Sequence, residues 1–202
     1  EMLHPDLYSV DGEPLMSWRV GLLPVHEHYL VWEELAPEAW DSPHNARVLS
    51  QVDPRMFAAQ RDTPDCYTDS LAVLGTSCGI LREAPPTVEL SDREDFSPLT
   101  RLTIGNYQSG VVAIPDVTDG MEATIVAVQV APDRSVPFAQ PTDYVWDPAN
   151  PTAGLGLPHE DFFLAVFGDT TVRRISKSIA PEKLKAMFGR SDGDGSNEVQ
   201  NA

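Results

Sequence analysis

Residues 159–175, His-Glu-Asp-Phe-Phe-Leu-Ala-Val-Phe-Gly-Asp-Thr-Thr-Val-Arg-Arg-Ile, constrain the fold more than any other stretch of the chain. Phe163, Ala165 and Phe167 alternate with Phe162, Leu164 and Val166, so a strand here is apolar on both faces. Such a strand needs cover on both sides. Gly168-Asp169-Thr170 follows as a tight turn, since glycine tolerates positive φ and aspartate bonds its own backbone two residues on. In the return strand Val172 and Ile175 flank Arg173 and Arg174, the pattern of a strand that reaches a sheet edge.

The rest must fit around that hairpin without long helices, because eighteen prolines are spread along the whole chain. At 202 residues and 42% hydrophobic content the sequence predicts a folded domain with one full core or at most two small ones. The formal charge of −17 repels nucleic-acid phosphate and anionic membrane surfaces, which argues against both as partners. It fits an exported, acid-rich surface or docking onto a basic partner. Cys66 and Cys78 could close a small disulfide in an oxidising compartment or remain buried thiols, and they lie outside any zinc-ligand spacing. No apolar run approaches the ~20 residues needed to span a bilayer. The chain starts Glu1-Met2, which leaves open a missing leader or anchor.

Read in order, the pattern predicts a strand over residues 15–23 and a helix over residues 24–35 with Val25, Tyr29 and Trp32 on its inner face. A second helix follows Trp40-Asp-Ser-Pro-His-Asn45, capped by Asp41 or Ser42, with Val48, Leu49 and Val52 buried. Residues 71–75 form a short buried strand and residues 82–100 a surface loop. Residues 102–107 and 110–114 are further strand candidates. Residues 124–130 make the clearest strand, 132–158 an ordered loop anchored by Phe138, Tyr144 and Trp146, and 181–188 a last helix. The expected fold class is α+β: one domain over 1–190 with an antiparallel sheet, short helices and long ordered loops, then a disordered tail over 191–202.

Chemistry-bearing residues do not combine into a reaction centre. His159 and Asp169 stand at opposite ends of one strand, roughly 30 Å apart at ~3.3 Å per residue, so each is expected to organise its own loop. For His159 that means bonding carbonyls of residues 151–158. His26 and His28 diverge on a helix, and His44 belongs to a cap. There is no G-x-S-x-G, phosphate-loop or H-E-x-x-H pattern. A hydrolytic site would have to be assembled from His159, Asp161 and Asp143. Calcium is the more reasonable ion, with hard oxygen ligands on offer at Asp116/Asp119, Asp143/Asp147 and Asp192/Asp194.

The order of SWRVGLLP (17–24), WDSPHN (40–45), LAVLG (71–75), DVTDG (116–120), TIVAVQV (124–130), VPFAQPTDYVWDPANP (136–151), GLG (154–156), the His159-to-Asp169 hairpin and SIAPEKLKAMF (178–188) resembles the DUF1559 family of planctomycete prepilin-like proteins. The likeness spans roughly residues 10–190. It implies a relative of pilins and type II secretion pseudopilins, with a small α+β head behind a processed apolar helix. His159 and Asp169 match that family's H-x9-D-G signature, with Thr170 where glycine is usual. Met121-Glu122-Ala123-Thr124 likewise replaces the family's Thr-Ser-Asn-Thr after Asp119-Gly120.

The resemblance implies a non-enzymatic, extracytoplasmic structural protein. Its partners would be other proteins or further copies of itself, and this chain would make no direct membrane contact. Trp18, Trp40, Asp41, Asp119, Gly120, His159 and Asp169 would define the fold. The alternative is a soluble secreted binding module for calcium or a glycan on the same head.

Overall fold

The computed structural model describes residues 6–53, 57, 67–68, 70–74 and 114–191, with backbone alone for residues 67–68 and 70–74. Cys66, Cys78, the 82–100 loop, the strand candidates at 102–107 and 110–113, and the tail from 192 lie outside the described residues.

In chain order the elements are β1 (Leu7–Tyr8), β2 (Pro14–Met16), α1 (Tyr29–Glu34), α2 (Pro43–Leu49), β3 (Tyr67–Thr68), β4 (Ser70–Leu74), β5 (Ile125–Gln129), β6 (Val136–Pro137), β7 (Tyr144–Val145), β8 (Phe162–Phe167), β9 (Val172–Ser176) and α3 (Pro181–Phe188). The fold is α+β. Its main sheet has the order β7-β4-β5-β8-β9, and two small strand pairs, β1-β2 and β3-β6, stand beside it. The expectation of an antiparallel sheet holds for β4 through β9, whereas β7 joins β4 in parallel. That parallel edge arises inside the 132–158 segment, which is ordered as expected but carries two short strands of its own.

Two apolar clusters organise the interior. The first gathers residues from 7 to 52, including Met16, Val20, Leu23, Trp32 and Val48, and receives Phe138 and Ala139 from far along the chain. The second lies between the sheet and α3, where Phe163, Ala165 and Phe167 meet Leu184, Met187 and Phe188. These are the inward residues of the alternating strand read from the sequence. Its other face is half covered, with Val166 against Val117, Met121 and Val126.

Two sequence expectations change. The strand expected over 15–23 ends at Met16, and the chain then coils through turns and a 3-10 segment at Val20–Leu22. Residues 15–20 are all buried, and a short run buried on every side does not reveal its own period. The helix expected from Pro24 starts at Tyr29, because Glu27 takes a left-handed φ of 65° that no helix accommodates. Val25 and Tyr29 are therefore 77% and 56% exposed, and the inner face is Val31, Trp32 and Leu35 instead.

Candidate functional site: a buried ion pair beside a cleft

The side chains with most chemistry meet at the boundary of the two clusters. Arg19, which ends the Ser17-Trp18-Arg19 segment, is 1% exposed and pairs with the fully buried carboxylate of Asp143 at 3.1 Å. Its remaining donors are used on backbone: Nε donates to the Phe138 carbonyl at 2.9 Å, and Nη2 to those of Gln140 (2.9 Å) and Thr142 (3.2 Å). Trp18 Nε1 donates to Asp143 Oδ1 at 3.1 Å, and the Trp18 backbone N–H donates to Asp6 at 2.9 Å. The planar fork of arginine suits this task, since one guanidinium fixes three carbonyls and a carboxylate in one plane.

Asp6 is the second acid of the cluster. Burial pushes its carboxyl up to about 7, and the Asp143 charge adds to that shift; the Trp18 N–H and Arg19 oppose it. Burial pulls Arg19 down, while Asp143 and Asp6 favour its charged form. One cation thus faces two acids in a desolvated space.

Beside this cluster opens a cleft of about 550 Å³, walled by residues 133–136 and 142–145 and closed by Asp147 and Gly154. Its hydroxyls are engaged locally: Ser135 donates to the Pro132 carbonyl at 2.7 Å, and Thr142 accepts from Gln140 at 2.9 Å. The Tyr144 phenol is pushed up to about 12 by burial and by the Asp147 charge, so it stays a donor at neutral pH. No histidine lines the cleft. The walls offer a guanidinium at Arg134, carboxylates at Asp133 and Asp147 and a phenol, polar groups able to hydrogen-bond a ligand.

The expected site residues fall in four places. Trp18 belongs to the buried cluster. Trp40 packs against the first apolar cluster and donates its N–H to Leu15. Asp41 is exposed; Ser42 is the cap, accepting from the Asn45 N–H at 3.2 Å. Asp119 and Gly120 open the loop whose next residues, Met121 and Thr124, bond the hairpin turn that contains Asp169. There Gly168 and Asp169 donate to the carbonyls of Thr124 and Met121, and Asp119 N–H donates to that of Arg190.

Asp169 holds its turn by accepting from the Thr171 N–H and hydroxyl and by pairing with Arg173 at 3.0 Å. Hydrogen bonds from Thr171 lower its carboxyl below the usual range. His159 corrects the expectation placed on it. It is exposed, and Lys177, not His159, donates to the 151–158 loop, with Nζ 2.6 Å from the Leu157 carbonyl. The long ammonium stem reaches from the neighbouring strand where the imidazole turns to solvent.

Comparison with family models, curated proteins and solved structures returned no match.

Asp143, Asp161 and His159 are not brought together, and among the described residues no three His, Cys, Asp or Glu side chains form a group able to hold a metal ion. Of the calcium candidates, Asp143 is committed to Arg19 and Trp18. Asp147 accepts from the Ala149 N–H and the Asn150 amide in its own turn. Asp119 is 2% exposed and Asp116 closes a short 3-10 turn. No helix among the described residues is long and apolar enough to cross a membrane.

Sequence reasoning missed Arg19, Asp6 and Asn45. Asn45 is fully buried, accepts from the Ala36 N–H and donates to the carbonyls of Ala36, Glu38 and Ala39. One signal was available for Arg19. A lone arginine inside the apolar run SWRVGLL of an acidic chain needs a buried acid somewhere.

Proposed function

We propose that this chain is a non-enzymatic head domain of the prepilin-like kind, acting outside the cytoplasm by docking with other proteins or with its own copies. One observation carries the reading. The polar groups of Trp18, Arg19 and Asp169 are spent within the fold: Trp18 and Arg19 secure residues 138–143, through the Asp143 carboxylate and the backbone, and Asp169 secures its own turn. Such use of charge serves a fixed shape, and a fixed shape is what docking needs.

The test is the mass and N-terminal sequence of the native protein in membrane and soluble fractions of its source cells. An additional apolar helix with a methylated N-terminus is the expected result. A native chain that starts near Glu1 and remains soluble would defeat the assembly reading.

The cleft favours a second reading, a secreted binding module. Its mixed lining of Arg134, Asp133, Asp147 and Tyr144 suits a polar ligand such as a glycan. A thermal shift on adding calcium or an oligosaccharide, reversed by chelator or dilution, would select this reading over assembly.

A further inference from the structure

The outer edge of β9 is the other unusual place on the molecule. β9 is the last strand of the sheet, and among the described residues nothing pairs with its far side. Phe167 N–H bonds the Thr171 carbonyl and Lys177 N–H bonds that of Asp161, which fixes the hydrogen-bonding phase of the β8–β9 ladder. Residues 171, 173, 175 and 177 therefore turn their backbone groups toward β8, and residues 172, 174 and 176 turn theirs outward. The Ser176 carbonyl accepts from Ile179. That leaves the N–H and C=O of Val172 and Arg174 and the N–H of Ser176 facing out. Val172 is 61% exposed beside them.

Charge marks the same strand: Arg173 and Arg174 lie on it, Lys177 follows it, and residues 172–177 hold no acid in a chain whose total is −17. The Lys177 ammonium is held by the Leu157 carbonyl. Arg173 is neutralised by Asp169. Arg174 has no carboxylate within reach among the described residues and lies 4.8 Å over the Phe162 ring, held at the edge and still able to pair.

The edge also rejects its own copy. Antiparallel pairing of two β9 strands about their midpoint would set Arg174 against Arg174, and like charges directly opposite destabilise a pair.

We propose that β9 is a strand-addition site for an extended acidic segment of a partner protein. The segment would continue the sheet through Val172, Arg174 and Ser176 and place a carboxylate against Arg174. This rests on the docking reading and adds to it a surface and the chemistry of the partner.

The experiment adds two synthetic peptides to the intact chain, one alternating valine with glutamate and one alternating valine with lysine, and follows amide exchange and binding. With the acidic peptide the amides of 172, 174 and 176 should gain protection together, those of 173 and 175 being already protected by β8. The basic peptide should bind at least tenfold more weakly. Arg174→Glu, an exposed change that should leave the thermal midpoint in place, should invert that preference, and Arg174→Gln should abolish it.

Equal binding of both peptides, or acidic-peptide binding without the alternate-amide pattern, would overturn the edge site. Absence of binding would overturn it too. None of these outcomes bears on the native N-terminus, which judges the docking reading separately.

Discussion

Thr170 is the residue where sequence and geometry disagree most plainly. Phe167 and Thr171 close a three-residue loop whose last member sits at φ 70°, the left-handed conformation that favours glycine. A β-branched residue there costs about 1–2 kcal/mol, partly offset by the entropy glycine would lose. Thr170→Gly is therefore expected to stabilise the protein by about 0.5–1 kcal/mol, read as a rise of roughly 1–4 °C in the thermal midpoint. Asp6 gives the second prediction at this scale. Its carboxyl rises from 3.8 to about 7 on folding, so the folded protein holds that proton more tightly than the unfolded chain does. The stability it contributes is full below about pH 4 and lost as pH climbs through about 7. Asp6→Asn keeps an acceptor for Trp18 and removes the charge. It should raise the midpoint at pH 8, leave it nearly unchanged at pH 4, and flatten the slope between; an unchanged slope would show that another group titrates there.

Among the elements, those whose signal is local were legible. β8 followed from alternation, β5 from an unbroken strand-forming apolar run, and α3 from Pro181 at its first position with Leu184 and Phe188 turned inward. The false start of α1 came from Glu27, whose left-handed backbone no propensity announces. The short partners β6 and β7 are set by pairing with β3 and β4, and two-residue strands carry no period to read. The bend at Gly154-Leu155-Gly156 has a spatial reason. Gly156 has φ 62°, and a Cβ there would stand 2.6 Å from the Phe162 carbonyl, where β8 begins. Gly156→Ala should cost about 2 kcal/mol or more, through strain and a displaced start of β8. Amide exchange along residues 162–164 reads the local part of that loss.

At the scale of the whole molecule, Arg19 and Asp143 decide whether the two apolar clusters act as one body. That Arg19 needs a buried acid was legible, but which acid was not, because 124 residues separate the pair and no spacing rule reaches that far. Arg19→Met should cost about 3–5 kcal/mol by leaving a buried carboxylate without its cation. Adding Asp143→Leu should recover much of that loss, because two apolar side chains of suitable volume can replace a buried pair. Denaturant midpoints of the three proteins test this, and a double variant no better than Arg19→Met would show that the pair holds the 138–143 backbone by more than charge. The same pair also sets an order on synthesis. The first fifty residues cannot finish their core until Phe138 and Ala139 arrive, nor shelter Arg19 until Asp143 does. A growing chain must carry that segment unfinished until residues 138–143 have been made, and arrested chains ending before residue 138 should be cut by protease at sites in it that the completed protein protects.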